Sequence, residues 1–128
     1  MILVDTSVWV DHLRQGDNIL VGLLASGQVL AHPFVVGELA LGNLQQRTTI
    51  LASLQDLPQA NVATDQEVVH FIERHGLAGL GIGYIDAHLL ASTQLTSGSL
   101  LWTRDKRLLR AAERLGLASK LSTEPSGS

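Results

Sequence analysis

The sequence predicts an α/β domain with a mostly parallel central sheet and helices on both faces. Three observations carry this prediction. The apolar run Met1–Val4 reads as a strand buried on both faces, as strands of parallel sheets are. Short strand-like segments alternate with helix-forming ones along the chain, the pattern of βαβ units. The length, 128 residues at 45% hydrophobic, suits one domain with a real core, and no internal repeat is present.

The elements follow in order. Asp5 falls where the first strand ends, and Thr6-Ser7 opens a short helix expected over Ser7 to Leu13. Residues 14–18 make a turn, Ile19 to Ala25 a second helix stopped by Ser26-Gly27, and Gln28 to Ala31 a short strand. Pro33 suits the first turn of a helix reaching Leu41, which Gly42-Asn43 ends. Thr48 to Leu54 is helical, and the Pro-bearing stretch Leu57 to Ala63 is expected as an edge strand. Thr64 and Glu67 form a capping box for the next helix. Gly76, Gly79, Gly81 and Gly83 mark a loop before a helix over Tyr84 to Leu95. Ser99 to Thr103 is a strand, Asp105 to Leu115 the last long helix, and Gly116 its C-terminal stop. The domain is expected over residues 1–121, with 122–128 a disordered or appended tail.

Composition narrows the function classes. With no cysteine, disulfides and thiolate metal sites are excluded. No apolar run reaches membrane-spanning length, and the amino terminus lacks a basic, signal-like region, so a cytoplasmic protein is expected. A net charge of −3 argues against a general nucleic-acid coat. Yet five of nine Lys and Arg lie between Arg104 and Arg114.

The acids are unevenly spread. Across residues 18–46 the only Asp, Glu, Lys or Arg is Glu38, and across 75–103 it is Asp86. Burying a carboxylate without a partner costs several kcal/mol, so each needs a distant cation or a metal. Asp5 and Asp105 add carboxylates at two strand ends, where open α/β sheets bind ligands. Taken singly, Asp5, Asp86 and Asp105 also suit helix starts, as caps or first-turn acids. Taken together, the four point to one acidic pocket. All-oxygen ligands select a hard cation, Mg²⁺ or Mn²⁺. Neutralising the four acids takes the formal charge from −3 to +1, so an anionic phosphodiester would no longer be repelled.

These segments resemble a known family. Val4-Asp5-Thr6-Ser7-Val8-Trp9, Val36-Gly37-Glu38-Leu39, Tyr84-Ile85-Asp86-Ala87-His88-Leu89-Leu90-Ala91 and Trp102-Thr103-Arg104-Asp105 are similar, in order, to motifs of the PIN-domain ribonucleases, specifically VapC-type toxins of bacterial toxin–antitoxin pairs. The resemblance spans roughly residues 1–121. It implies a three-layer α/β/α fold and an Mg²⁺- or Mn²⁺-dependent endoribonuclease with Asp5, Glu38, Asp86 and Asp105 around the metal. It also implies supporting hydroxyls at Thr6 and Thr103, a homodimer, and a VapB-like antitoxin that blocks the site. In that setting the basic residues Arg104, Lys106, Arg107 and Arg110 become candidate RNA contacts. Arg107, Arg110 and Arg114 share one helical face, which is either phosphate-binding or simply solvated.

Other residues carry less. His70 and His75 are five apart, about 500° around a helix, and so do not face one metal. His88 lines the pocket or packs; His12 and His32 have no constellation; Trp9 and Trp102 read as core; Asp11 and Asp17 as exposed. The glycines do not form a dinucleotide fingerprint. Two rival readings exist. A phosphoryl-acceptor domain (receiver or phosphatase-like) shares an Asp after the first strand, but it wants a second Asp where this chain has Ser7, or an acceptor Asp after a central strand with a later Lys, which this chain does not show. A non-catalytic PIN-like binding module would not need all four acids.

Overall fold

A computed structural model describes residues 1–123. Three strands, β1 (Ile2–Val4), β2 (Val29–Leu30) and β3 (Leu100–Trp102), form a fully parallel sheet in the order β2-β1-β3. The registers are Ile2 opposite Val29 on one side and Val4 opposite Trp102 on the other. β1 is therefore central, with its two neighbours added in opposite directions. Such a switch point opens a crevice at the carboxyl ends of the strands.

Among the described residues seven α-helices complete a three-layer α/β/α arrangement. They are α1 (Thr6–Gln15), α2 (Asn18–Ala25), α3 (Pro33–Ala40), α4 (Arg47–Gln55), α5 (Asp65–His75), α6 (Tyr84–Leu95) and α7 (Lys106–Arg114). A short 3₁₀ turn, Lys120–Thr123, follows. α6 is buried from Ala87 through Thr93 without a break, which makes it the central helix of the core. By contrast α7 is strongly two-sided: Leu108, Ala111 and Ala112 are buried while Arg107, Arg110 and Arg114 face outward.

The expected helices are all present, within a few residues of their expected ends. The Thr64–Glu67 capping box forms with both bonds, at 3.1 and 2.8 Å. Gly116 adopts φ +72°, the left-handed backbone that lets α7 stop there. One expectation fails. Leu57 to Ala63 is not an edge strand; it makes a single bridge, Gln59 to Ala31, with Ala31 N–H donating to Pro58 O and Ala60 N–H to Ala31 O. β2 has only two residues, so the neighbouring segment has no ladder to extend. Of the expected tail, residues 124–128 lie outside the described residues.

Candidate active site

The carboxyl edge of the sheet gathers the four acids. β1 delivers Asp5, whose N–H continues the ladder by donating to Trp102 O at 2.9 Å. The Asp5 side chain then caps α1 and is buried. Its Oδ2 accepts from Ser7 N (3.4 Å), Ser7 Oγ (2.6 Å) and Thr103 Oγ1 (2.8 Å). Ser7 and Thr103 each have a single hydroxyl proton, and both spend it on Asp5. Their lone pairs then serve the loop after β3: Ser7 Oγ accepts from Arg104 N at 3.0 Å, and Thr103 Oγ1 from Asp105 N at 3.1 Å. Two hydroxyls thus lock the ends of β1 and β3 together.

Asp105 caps α7, its Oδ1 accepting from Arg107 N and Leu108 N at 2.9 and 3.1 Å. Glu38, half-buried in the last turns of α3, accepts from Thr6 Oγ1 at 2.6 Å through Oε1. Asp86 sits in the first turn of α6, where its Oδ2 accepts from Gly83 N at 3.0 Å. The structural roles expected for acids at helix starts are therefore real, but each occupies one oxygen only. Among the described residues, Oδ1 of Asp5, Oε2 of Glu38, Oδ1 of Asp86 and Oδ2 of Asp105 have no protein donor.

Asp86 reports the convergence. Its carboxyl is held above the ordinary carboxylate range, first by burial and then by the negative charges of Asp5, Asp105 and Glu38; the Gly83 bond opposes this. None of the ion pairs among the described residues reaches the four. They are neighbours at Coulombic range and not at ligand spacing: among the described residues no group of three or more His, Asp or Glu is already arranged to hold a metal ion. Beside Glu38 a cavity of about 710 Å³ opens between α1 and the 42–46 loop, walled by Val10, Leu13, Leu39 and Ile50.

The basic candidates divide. Arg104 lies 5.7 Å over the Trp102 ring and pairs with both Asp11 and Asp17. Asp11 and Asp17 are thus ion-paired and partly buried instead of freely exposed. For Asp17, burial raises the carboxyl, but the Leu20 N–H and Arg104 prevail and hold it below its usual value. Lys106 is exposed on the first turn of α7. Arg107, Arg110 and Arg114 line one groove.

Sequence reasoning did not single out Ser7 as a partner of Asp5, although its place two residues on was the available signal. It also missed a histidine cluster behind the site. His32 is fully buried as the cap of α3, its Nε2 3.0 Å from Ser92 Oγ, and its edge meets Phe34, which in turn meets His88. Burial first, then His88, pushes the His32 imidazole down to about 4. His88 packs in the core with Nε2 at 3.1 Å from Asp65, so it turns away from Asp86. Both tryptophans are core, as expected.

Comparison with known proteins adds to this geometry. The PIN domain family matches residues 2–114. Ribonuclease VapC32 of Mycobacterium tuberculosis, from strains CDC 1551 / Oshkosh and ATCC 25618 / H37Rv, is 49% identical over 118 residues, which covers 92% of this chain and 95% of the relative.

Proposed function

The chain belongs to the PIN-domain family as a VapC-type member, and on that premise we propose that it is the toxin of a VapBC-type pair, a divalent-metal-dependent endoribonuclease with its site at Asp5, Glu38, Asp86 and Asp105. One observation carries the reading: among the described residues, four neighbouring carboxylates have no paired cation, and each keeps one oxygen free of protein donors.

The donor set fits a hard cation. It offers carboxylate oxygens alone, with neutral hydroxyls behind them and no sulfur or imidazole, as Mg²⁺ or Mn²⁺ prefers. When bound, such an ion activates water and offsets the charge that builds on the phosphate during hydrolysis. The protein's part is positioning. Thr103 and Ser7 hold Asp5, Thr6 holds Glu38, the α7 amide groups hold Asp105, and the Gly83 amide holds Asp86. Supporting bonds of this kind orient ligands and strongly influence metal affinity. In the reaction a water oxygen bonds to phosphorus, one P–O ester bond breaks, and the leaving oxygen takes up a proton.

The same reading extends to an RNA substrate, a VapB-like antitoxin that blocks the site, and a homodimer. Among the described residues no helix is long and apolar enough to cross a membrane. The test is direct. Purified protein should cut RNA with Mg²⁺ or Mn²⁺, stop on chelation, and lose at least about a hundredfold in rate on Asp5→Asn, the loss expected when a few kcal/mol of charge stabilisation goes. Cleavage that survives both chelator and Asp5→Asn would mean that this is not the site.

A further inference from the structure

The groove on the outer face of α7 has a construction that the four-acid site does not explain. Arg107, Arg110, Ala111 and Arg114 form one wall and Leu80 the other, around a cavity of about 190 Å³ that no carboxylate lines. From Arg107 to Arg114 the helix advances about 10 Å. Arg114 is anchored at the far end, donating to the carbonyls of His75 and Gly76 at the close of α5.

The near end meets the acidic site at Asp105 and lies beside the loop that precedes Asp86. Arg107 N donates to Asp105 Oδ1, and the Arg107 side chain occupies the space into which a side chain at Gly81 would project. Gly81 has φ +78°, and a Cβ there would come within 3.0 Å of Arg107 Cδ and 3.1 Å of Nη1. The positive φ favours glycine there, and a larger residue would also push the Arg107 side chain aside. Two residues on, Gly83 N donates to Asp86 Oδ2. Arg107 is thus seated between Asp105 and the loop that leads into the first turn of α6, where Asp86 sits, and the groove runs outward from there.

We propose that this groove is a phosphate subsite, in which Arg107 and Arg110 bind backbone phosphates of the RNA strand flanking the scissile bond. It rests on the ribonuclease reading above. An arginine stripe that starts at the acidic pocket gives a polyanion a path toward carboxylates that would otherwise repel it. Guanidinium groups suit phosphate because their planar fork donates two parallel bonds. Contacts of this kind fix register and carry no sequence preference.

The experiment measures binding of a fluorescein-labelled single-stranded RNA to the full chain carrying Asp5→Asn, in Mg²⁺, across a salt series. Each phosphate contact on a single strand contributes about 0.7 to the slope of log affinity against log salt. Arg107→Gln with Arg110→Gln should therefore flatten the slope by about 1 to 1.5, and Arg110→Gln alone by about half of that. Arg107→Lys with Arg110→Lys should restore most of it. Arg74→Gln, which removes a cation on α5 outside the groove, should leave the slope unchanged. An unchanged slope in the groove variants, or an equal change in Arg74→Gln, would overturn the subsite. Neither result would touch the ribonuclease reading, which falls only if the unsubstituted protein fails to cut RNA with either metal.

Discussion

Thr103 Oγ1 donates to Asp5 Oδ2 at 2.8 Å while accepting from Asp105 N at 3.1 Å, so one buried hydroxyl ties together two acids a hundred residues apart in sequence. Its replacement by the isosteric valine keeps the packing and removes both bonds. Leaving buried polar groups unsatisfied costs about 1–3 kcal/mol. Thr103→Val should lower the melting temperature by about 4 °C per kcal/mol. Cleavage should fall about 10–100-fold, the range for outer partners of metal ligands. A scanning melt and a rate measurement on the same preparation check both. An unchanged rate in a destabilised variant would reduce Thr103 to a structural tie.

Asp86 gives a pH prediction with a definite sign. Its folded carboxyl is raised by burial and by Asp5, Asp105 and Glu38. The native state therefore holds a proton that the unfolded chain has released, and metal-free stability must fall with rising pH. The stabilising contribution is complete below the unfolded value near 3.8 and is lost as pH climbs through the higher folded value. Asp86→Asn cannot titrate. Subtracting its stability curve from that of the unsubstituted protein in chelator isolates this residue from Asp17, Asp65 and Glu67, whose lowered values slope the other way. The difference should decline across that window. A flat or rising difference would mean that the four acids do not share a field.

Metal should reverse the repulsion. An ion that binds only the folded protein stabilises it by about 2.7 kcal/mol at a hundred times its dissociation constant. Melting temperature should therefore rise with Mg²⁺ or Mn²⁺ and return on chelation. Asp5→Asn and Asp86→Asn should show little of that rise, whereas Arg74→Gln should show all of it. Equal shifts in all of these proteins would indicate metal bound elsewhere.

How much of this was legible in the sequence depends on the range of the interaction. Asp5 and Asp105 follow strands and start helices within a few residues, and Glu38 and Asp86 stand alone in long uncharged windows, so local pattern sufficed. The Thr64–Glu67 box and the limits of α6 are local for the same reason. The Leu57 to Ala63 stretch looked like a strand because propensity says nothing of whether a partner edge exists, and β2 is too short to supply one. Nor does spacing reveal that His32 and His88 meet through Phe34. That contact joins the cap of α3 to the middle of α6 and is set by packing alone.

Arg104 shows the same limit most clearly. By position it belongs to the basic run after β3, yet its guanidinium reaches Asp11 and Asp17, 93 and 87 residues away. Those carboxylates raise its already high pKa against the opposing effect of burial. The pairs tie the loop after β3 to α1 and to the start of α2, the turn behind Asp5. Because the Arg104 side chain shared by both pairs is about one-third exposed, at 35%, solvent screens its pairing with Asp11 and with Asp17, and each pair is worth roughly 0.2–1 kcal/mol. A double-mutant cycle of Arg104→Gln with Asp17→Asn should return a coupling in that range, shrinking as salt is added. If Arg104 is spent on this clamp, Arg104→Gln should change the melting temperature without flattening the salt slope of RNA binding, the opposite of what Arg107→Gln and Arg110→Gln should do. A slope that flattens for Arg104→Gln, with no measurable coupling to Asp17, would return Arg104 to the RNA-binding face.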